Sequence, residues 1–257
     1  MSTDQFRLAR MTSPQFAAVI ASGRTVVALV PVGSTEPHGP HLALATDVVI
    51  SEAACDRAAD QLAARGLAPV IAPAVGYGVT DCAAGFAGAV SIPAPALTGF
   101  LRAIADGLLA AGCAHVCLVN NHLEPAHDAA VRAAADGAPG RISVACPLNR
   151  AWARTLTPEF KSGACHAGQY ETSIVLATDP TLVDDAARAS LAPVPISLSE
   201  GLKAGKPTFV AMGMTDGYAG DPAAATAAEG DATLALLAAM IVGEVIAALN
   251  SPPGLSP

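Results

Sequence analysis

Glu36, His38 and Asp47 follow an apolar run in the order E-x-H-x8-D, and His122 and Glu124 follow a second apolar run as an H-x-E pair. Imidazoles and carboxylates grouped in this way suit hard or borderline divalent cations such as Zn²⁺ or Mn²⁺. Five ligands can hold two cations if one carboxylate bridges. Asp47 is the natural bridge, because it stands between the Glu36–His38 pair and the His122–Glu124 pair. Two cations about 3.5–4 Å apart polarise a substrate oxygen and bring a water's pKa towards neutrality, so the chemistry expected is hydrolysis. Blander roles exist for each residue alone: Asp47 as a helix N-cap, Glu36 and His38 as a solvated loop pair. Two such clusters at equivalent strand ends favour a metal site over chance.

A third group, Cys165 to Ser173, contains His166 and Glu171. His166 is a candidate to carry the proton that a departing amine requires. Glu171 is a candidate to orient that imidazole or to support a metal ligand, although a Glu in a first helical turn also simply favours the helix dipole. Cys165 beside His166 could form a nucleophile pair, but neighbours in sequence seldom face one another and the metal ligands need no thiol. His41 and His127 are weaker candidates for support of the site. His115, at the start of its strand, is read as structural.

The elements that must position these groups alternate. Strand-like runs at Thr25 to Val32, Ala68 to Val75, His115 to Asn120 and Ile142 to Cys146 are followed by helical segments at Val48 to Arg65, Pro95 to Ala111, Pro125 to Asp136 and Ala167 to Thr178. This alternation predicts a mostly parallel sheet with helices on both faces. Both metal-type clusters then fall beyond the carboxyl ends of strands, where open α/β sheets bind ligands. Glycine and proline from Gly76 to Pro95 mark a long irregular segment of a kind that is usually functional or mobile, and a second irregular stretch, Ala192 to Gly220, is expected to wrap the site or a neighbouring subunit. A C-terminal helix is expected from Pro222 to Leu249. Its longest apolar run, Ala232 to Gly243, is too short for a membrane span and reads as a buried helix.

The 257 residues are read as one domain, 1–257, with no repeat and no linker. A formal charge of −8 and the lack of a basic cluster argue against nucleic acid as a partner. Only 14% of residues are charged, too few to coat a monomer, so a homo-oligomer is expected. The polar segment from Met1 to Arg10 lacks the form of a signal peptide, which makes the cytoplasm the default location. The six cysteines show no C-x-x-C spacing and read as core thiols.

Three segments together resemble the creatininase family of metal-dependent amidohydrolases: Pro31 to Leu42 with Asp47, Asn120 to Glu124, and His166-Ala167-Gly168 with Glu171-Thr172-Ser173. The resemblance implies a three-layer α/β/α sandwich, often assembled as a hexamer, and two divalent metals, Zn and/or Mn, serving hydrolysis of the C–N bond in small or cyclic non-peptide amides. It also implies that Glu36, Asp47 and His122 hold one metal, that His38, Asp47 and Glu124 hold the other, and that His166 is the proton carrier. Two departures bear on the substrate. Thr80 to Ala89 lacks the family's usual His and Pro, and Trp152 is the only tryptophan, where creatinine hydrolases use a pair. The expected substrate is therefore a small-molecule amide other than creatinine. The alternative is a catalytically lapsed metal-binding or assembly protein, against which all five ligands and His166 stand.

Overall fold

Every side chain of β1 (Val26–Val32) is buried, as a strand covered on both faces requires. A computed structural model, which describes residues 3–251, places β1 inside a four-stranded sheet with β2 (Ala68–Ile71), β3 (His115–Asn120) and β4 (Ile142–Ala145). The strand order is β2-β1-β3-β4 and all three pairings are parallel. The chain leaves β1 for β2 on one side and reaches β3 on the other. The gap between the carboxyl ends of β1 and β3 is therefore the switch point where α/β sheets hold ligands.

Alternate residues of β1 face different helical layers, because side chains in a strand point up and down in turn. Val27 and Leu29 pack with α2 (Thr46–Ala64), α7 (Gln169–Thr178) and α11 (Ala227–Asn250). Val26, Ala28, Val30 and Val32 pack with α1 (Ser13–Ile20), α3 (Ala94–Ala110) and α4 (Pro125–Ala135). The result is the expected three-layer sandwich. Small residues allow close approach: a Cβ on Gly230 of α11 would lie 1.8 Å from the Ser173 carbonyl oxygen of α7. Helix α11 is long and apolar enough to cross a membrane by composition, but its packing on α2 and α7 makes it a core helix here.

Short helices fill the remaining chain: α5 (Arg150–Ala153), α6 (Pro158–Ser162), α8 (Asp185–Ser190), α9 (Leu198–Lys203) and α10 (Phe209–Met212). Two of them, α9 and α10, lie within the stretch read as irregular.

Candidate metal centre

The loop after β1 folds back so that Glu36 and His38 meet the first turn of α2, which carries Asp47. Ala45 is the N-cap of this helix, so Asp47 lies inside the first turn and does not cap it. Gly33 permits the approach, since a Cβ there would sit 2.8 Å from the Cβ of Asp47 and 2.7 Å from the Val48 nitrogen. Beyond β3, His122 enters the same space. His166 arrives from the turn preceding α7 and Glu171 from the first turn of that helix, and between them Ala167 holds the left-handed backbone (φ 51°) and donates its N–H to Glu171 Oε2 at 2.7 Å.

All seven predicted site residues are buried. His122 Nδ1 stands 3.1 Å from Glu36 Oε1 and 3.0 Å from Asp47 Oδ2. His38 Nε2 stands 3.1 Å from Asp47 Oδ1 and 3.6 Å from Glu171 Oε2. Each of the three imidazoles has its other nitrogen on a backbone carbonyl: His38 Nδ1 on Glu36, His122 Nε2 on Val79 and His166 Nε2 on Pro37, at 3.1, 2.7 and 3.0 Å. That pattern fixes each ring and turns one nitrogen toward the carboxylates, as metal-ligating histidines require.

Two groups with ligand spacing share Asp47: Glu36–Asp47–His122 and His38–Asp47–Glu171. A third, Glu36–His38–His166, borrows one residue from each. Glu36, His38, Asp47 and His122 are thus gathered as the sequence predicts. Glu171 lies in one of these three groups, and Glu124 falls outside them but lines the same cavity. The reason lies in the loop after β2, where the backbone N–H groups of Asp81 and Cys82 donate to Glu124 Oε1 and Oε2 at 3.2 and 3.0 Å.

The electrostatics fit cations. Burial opposes charge on His38, yet Asp47, Glu171 and Glu36 outweigh it and raise its pKa to about 10. Burial likewise opposes charge on His122, and Glu36 and Asp47 push its pKa well up. Burial raises Glu171 to about 8, with His38 opposing and Asp47 reinforcing the rise. Asp47 moves down because His38 and His122 overcome its burial. In the metal-free chain, protons on imidazoles thus do the work of cations. The two oxygens of Asp47 face different imidazoles, Oδ1 toward His38 at 3.1 Å and Oδ2 toward His122 at 3.0 Å, so one carboxylate serves both groups. The site's nitrogen and carboxylate donors fit two divalent cations.

Of the supports of the site, His127 was a candidate in the sequence, and Thr80 and Phe209 were not. Thr80 donates its hydroxyl to Glu36 Oε2. His127 Nδ1 accepts the Val79 N–H at 3.2 Å, and its ring meets His122 edge-on at 4.6 Å between centroids. The segment from Val79 to Cys82 therefore holds Glu36, His122 and Glu124 together. Only the glycine-rich punctuation around it hinted at such a role. Phe209 of α10 stacks on His166 at 4.3 Å. His41 bonds Thr172 at 2.9 Å and His115 bonds Gly140 and Ser143 at the far end of the sheet, a structural role as expected. Burial, with Glu171 and Glu159 adding to it, raises the Cys165 thiol beyond any nucleophilic role. Trp152 turns away to donate to Glu244 at 2.8 Å and is absent from the cavity wall.

A cavity of about 220 Å³ opens onto these groups, with Glu36, Asp47, Glu124, Glu171, His122 and His166 at its polar end. Its other walls are mostly apolar and come from α4, α6, α9 and α10 and the loops joining them. The stretch from 192 to 220 thus wraps the site within the same chain.

A parallel α/β/α sandwich with histidine and carboxylate groups converging at its switch point defines a metal-dependent hydrolase. The family profile described as creatininase, creatinine amidohydrolase, matches residues 9–245, and this chain belongs to that family of metal-dependent amidohydrolases. It is 34% identical over 242 residues to the mycofactocin precursor peptide peptidase of Mycobacterium tuberculosis, covering 88% of this chain and 87% of that one. It is 29% identical over 193 residues to creatinine amidohydrolase of Pseudomonas putida, covering 68% and 72%. A crystal structure of creatinine amidohydrolase shares the fold, with a TM-score of 0.74 at 22% identity over 96% of this chain and 99% of that one.

Proposed function

We propose that this chain hydrolyses an acyclic amide bond with two divalent cations, one held by Glu36, Asp47 and His122, the other by His38, Asp47 and Glu171. The observation that carries this reading is the pair of ligand groups sharing Asp47. Bound there, such cations supply Lewis acidity toward a carbonyl oxygen and lower the pKa of water. Zn²⁺ and Mn²⁺ both suit the donors.

The remaining chemistry belongs to two groups whose surroundings push their pKa values apart, a pattern that assigns acid and base. Burial and the charge of His38 lower His166 to about 4, so its ring is neutral. With Nε2–H on the Pro37 carbonyl, His166 has Nδ1 as its acceptor, 3.8 Å from Glu36 Oε1. It therefore takes the proton of the attacking water. Burial raises Glu124 from the ordinary carboxylate value against the opposing Cys82 N–H, and its place on the cavity wall makes it the group to carry a proton to the departing nitrogen. The leaving-group proton, which the sequence assigns to His166, passes in this reading to Glu124.

The acyclic substrate is favoured by the apolar walls and by the name of the mycobacterial relatives, which act on a precursor peptide. A small cyclic amide is the second reading, favoured by the creatinine amidohydrolase relative. Against it, Phe160 and Phe209 line the cavity but no tryptophan does. A screen of the Zn²⁺- and Mn²⁺-loaded protein against N-acyl amino acids, short peptides, lactams and cyclic ureides, reading amine or carboxylate release, tests the assignment. Hydrolysis of acyclic amides is expected. Turnover confined to lactams or ureides would replace it with the second reading, and no hydrolysis of any amide would favour the lapsed protein.

A further inference from the structure

Lys161 is the one lysine or arginine lining the cavity among the described residues, and its ammonium makes no hydrogen bond or ion pair with any of them. It is exposed, which places it at the mouth, while its neighbour Phe160 is buried. Helix α6, which carries Lys161, is short but firmly held. Thr157 caps it through the Phe160 N–H at 3.2 Å, and Phe160 packs on Tyr170 at 4.9 Å between ring centroids. Glu159 accepts the N–H groups of Tyr170 and Asp221 at 2.8 and 2.7 Å. Tyr170 is the residue before Glu171, so the base of Lys161 is tied to the element that delivers a site carboxylate.

Charge and shape then constrain what enters. Glu36, Asp47, Glu124 and Glu171 gather at the polar end, where cations would offset their charge, and Lys161 pairs with none of them. The apolar lining of the same cavity includes Leu123, Leu148, Leu198, Leu202 and Phe209. A ligand complementary to this surface has an amide at one end, an apolar group in the middle and an anion at the other.

Resting on the amidohydrolase reading, we propose that Lys161 selects amides whose amine side is an apolar amino acid with a free carboxylate, as in an N-acyl amino acid or the carboxyl end of a peptide. Water adds to the amide carbonyl carbon, the C–N bond breaks, the acyl part leaves as a carboxylate and the amine takes a proton. The carboxylate bound by Lys161 is unchanged throughout.

The test compares N-acetyl-leucine with N-acetyl-leucinamide, which differ by one negative charge, in calorimetric binding to the Zn²⁺-loaded protein and in leucine or leucinamide release. Wild type should bind the carboxylate at least about tenfold more tightly. Lys161→Met should reduce that preference to under about threefold, Lys161→Arg should keep most of it, and Lys161→Glu should reverse it. An acetylated pentapeptide ending in leucine separates the two sources: leucine release from it assigns a peptide end, and release from N-acetyl-leucine alone assigns the small molecule. Equal binding of acid and amide by wild type, or an undiminished preference in Lys161→Met, would overturn the proposal. Binding is read without turnover, so a charge preference without hydrolysis would sink the amidohydrolase reading while leaving the assignment of Lys161 standing.

Discussion

Asp47 is the residue on which both cation positions depend, since its two oxygens face His38 and His122 separately. Asp47→Ala should therefore lose both ions and all activity, as read by metal analysis and rate. Retention of one full equivalent would contradict the shared role. Glu124→Gln and His166→Ala should each keep metal and lower kcat by roughly 10²–10⁴, the usual worth of a general acid or base. A para-nitroanilide, whose nitrogen needs less help from a proton to leave, should partly rescue Glu124→Gln and leave His166→Ala impaired. Rescue of His166→Ala alone would return the leaving-group role to that histidine. At pH 7 the metal-free site carries protons on His38, with its pKa near 10, on His122 and on Glu171, near 8. Cation uptake displaces them, so binding weakens as pH falls and protons are released at neutral pH. Calorimetry in two buffers of different ionisation enthalpy measures that release, and its absence would refute the proton-for-cation exchange.

At the scale of elements, the close fit of the β1 loop to α2 is a condition for the site. Gly33→Ala should destabilise the fold by about 1–3 kcal/mol, the range for overpacking, because the new methyl meets the backbone and Cβ of the first turn of α2. A melt and a metal count would show both losses together, whereas an unchanged melt would mean that the turn yields freely. The strands and their order of use were legible because β-rich apolar runs alternate with alanine-rich helices, and ligands at strand ends follow from that alternation. The hold on Glu124 was not legible. It depends on two amide groups of the loop after β2, more than 40 residues from Glu124 in sequence, and nothing local to H-x-E announces them. Helices α9 and α10 were missed for a similar reason: short, glycine-flanked segments carry too little periodicity, and α10 is set by its Thr208 cap and Gly213 end.

For the whole molecule, a surface with so few charges and with Phe100, Tyr77 and Val210 more than half exposed is expected to be covered by further copies of the chain. Light scattering at micromolar concentration should give a mass above the 25.5 kDa monomer, and a strictly monomeric mass would refute this. The metal content of the whole chain bears most directly on the central assignment. Elemental analysis of wild type, Glu171→Gln and Glu124→Gln, each purified in excess Zn²⁺ and desalted, should give about two, one and two ions per chain. Two ions in Glu171→Gln with one in Glu124→Gln would restore the ligand set read from the sequence, and none in wild type would contradict the metal-dependent account altogether.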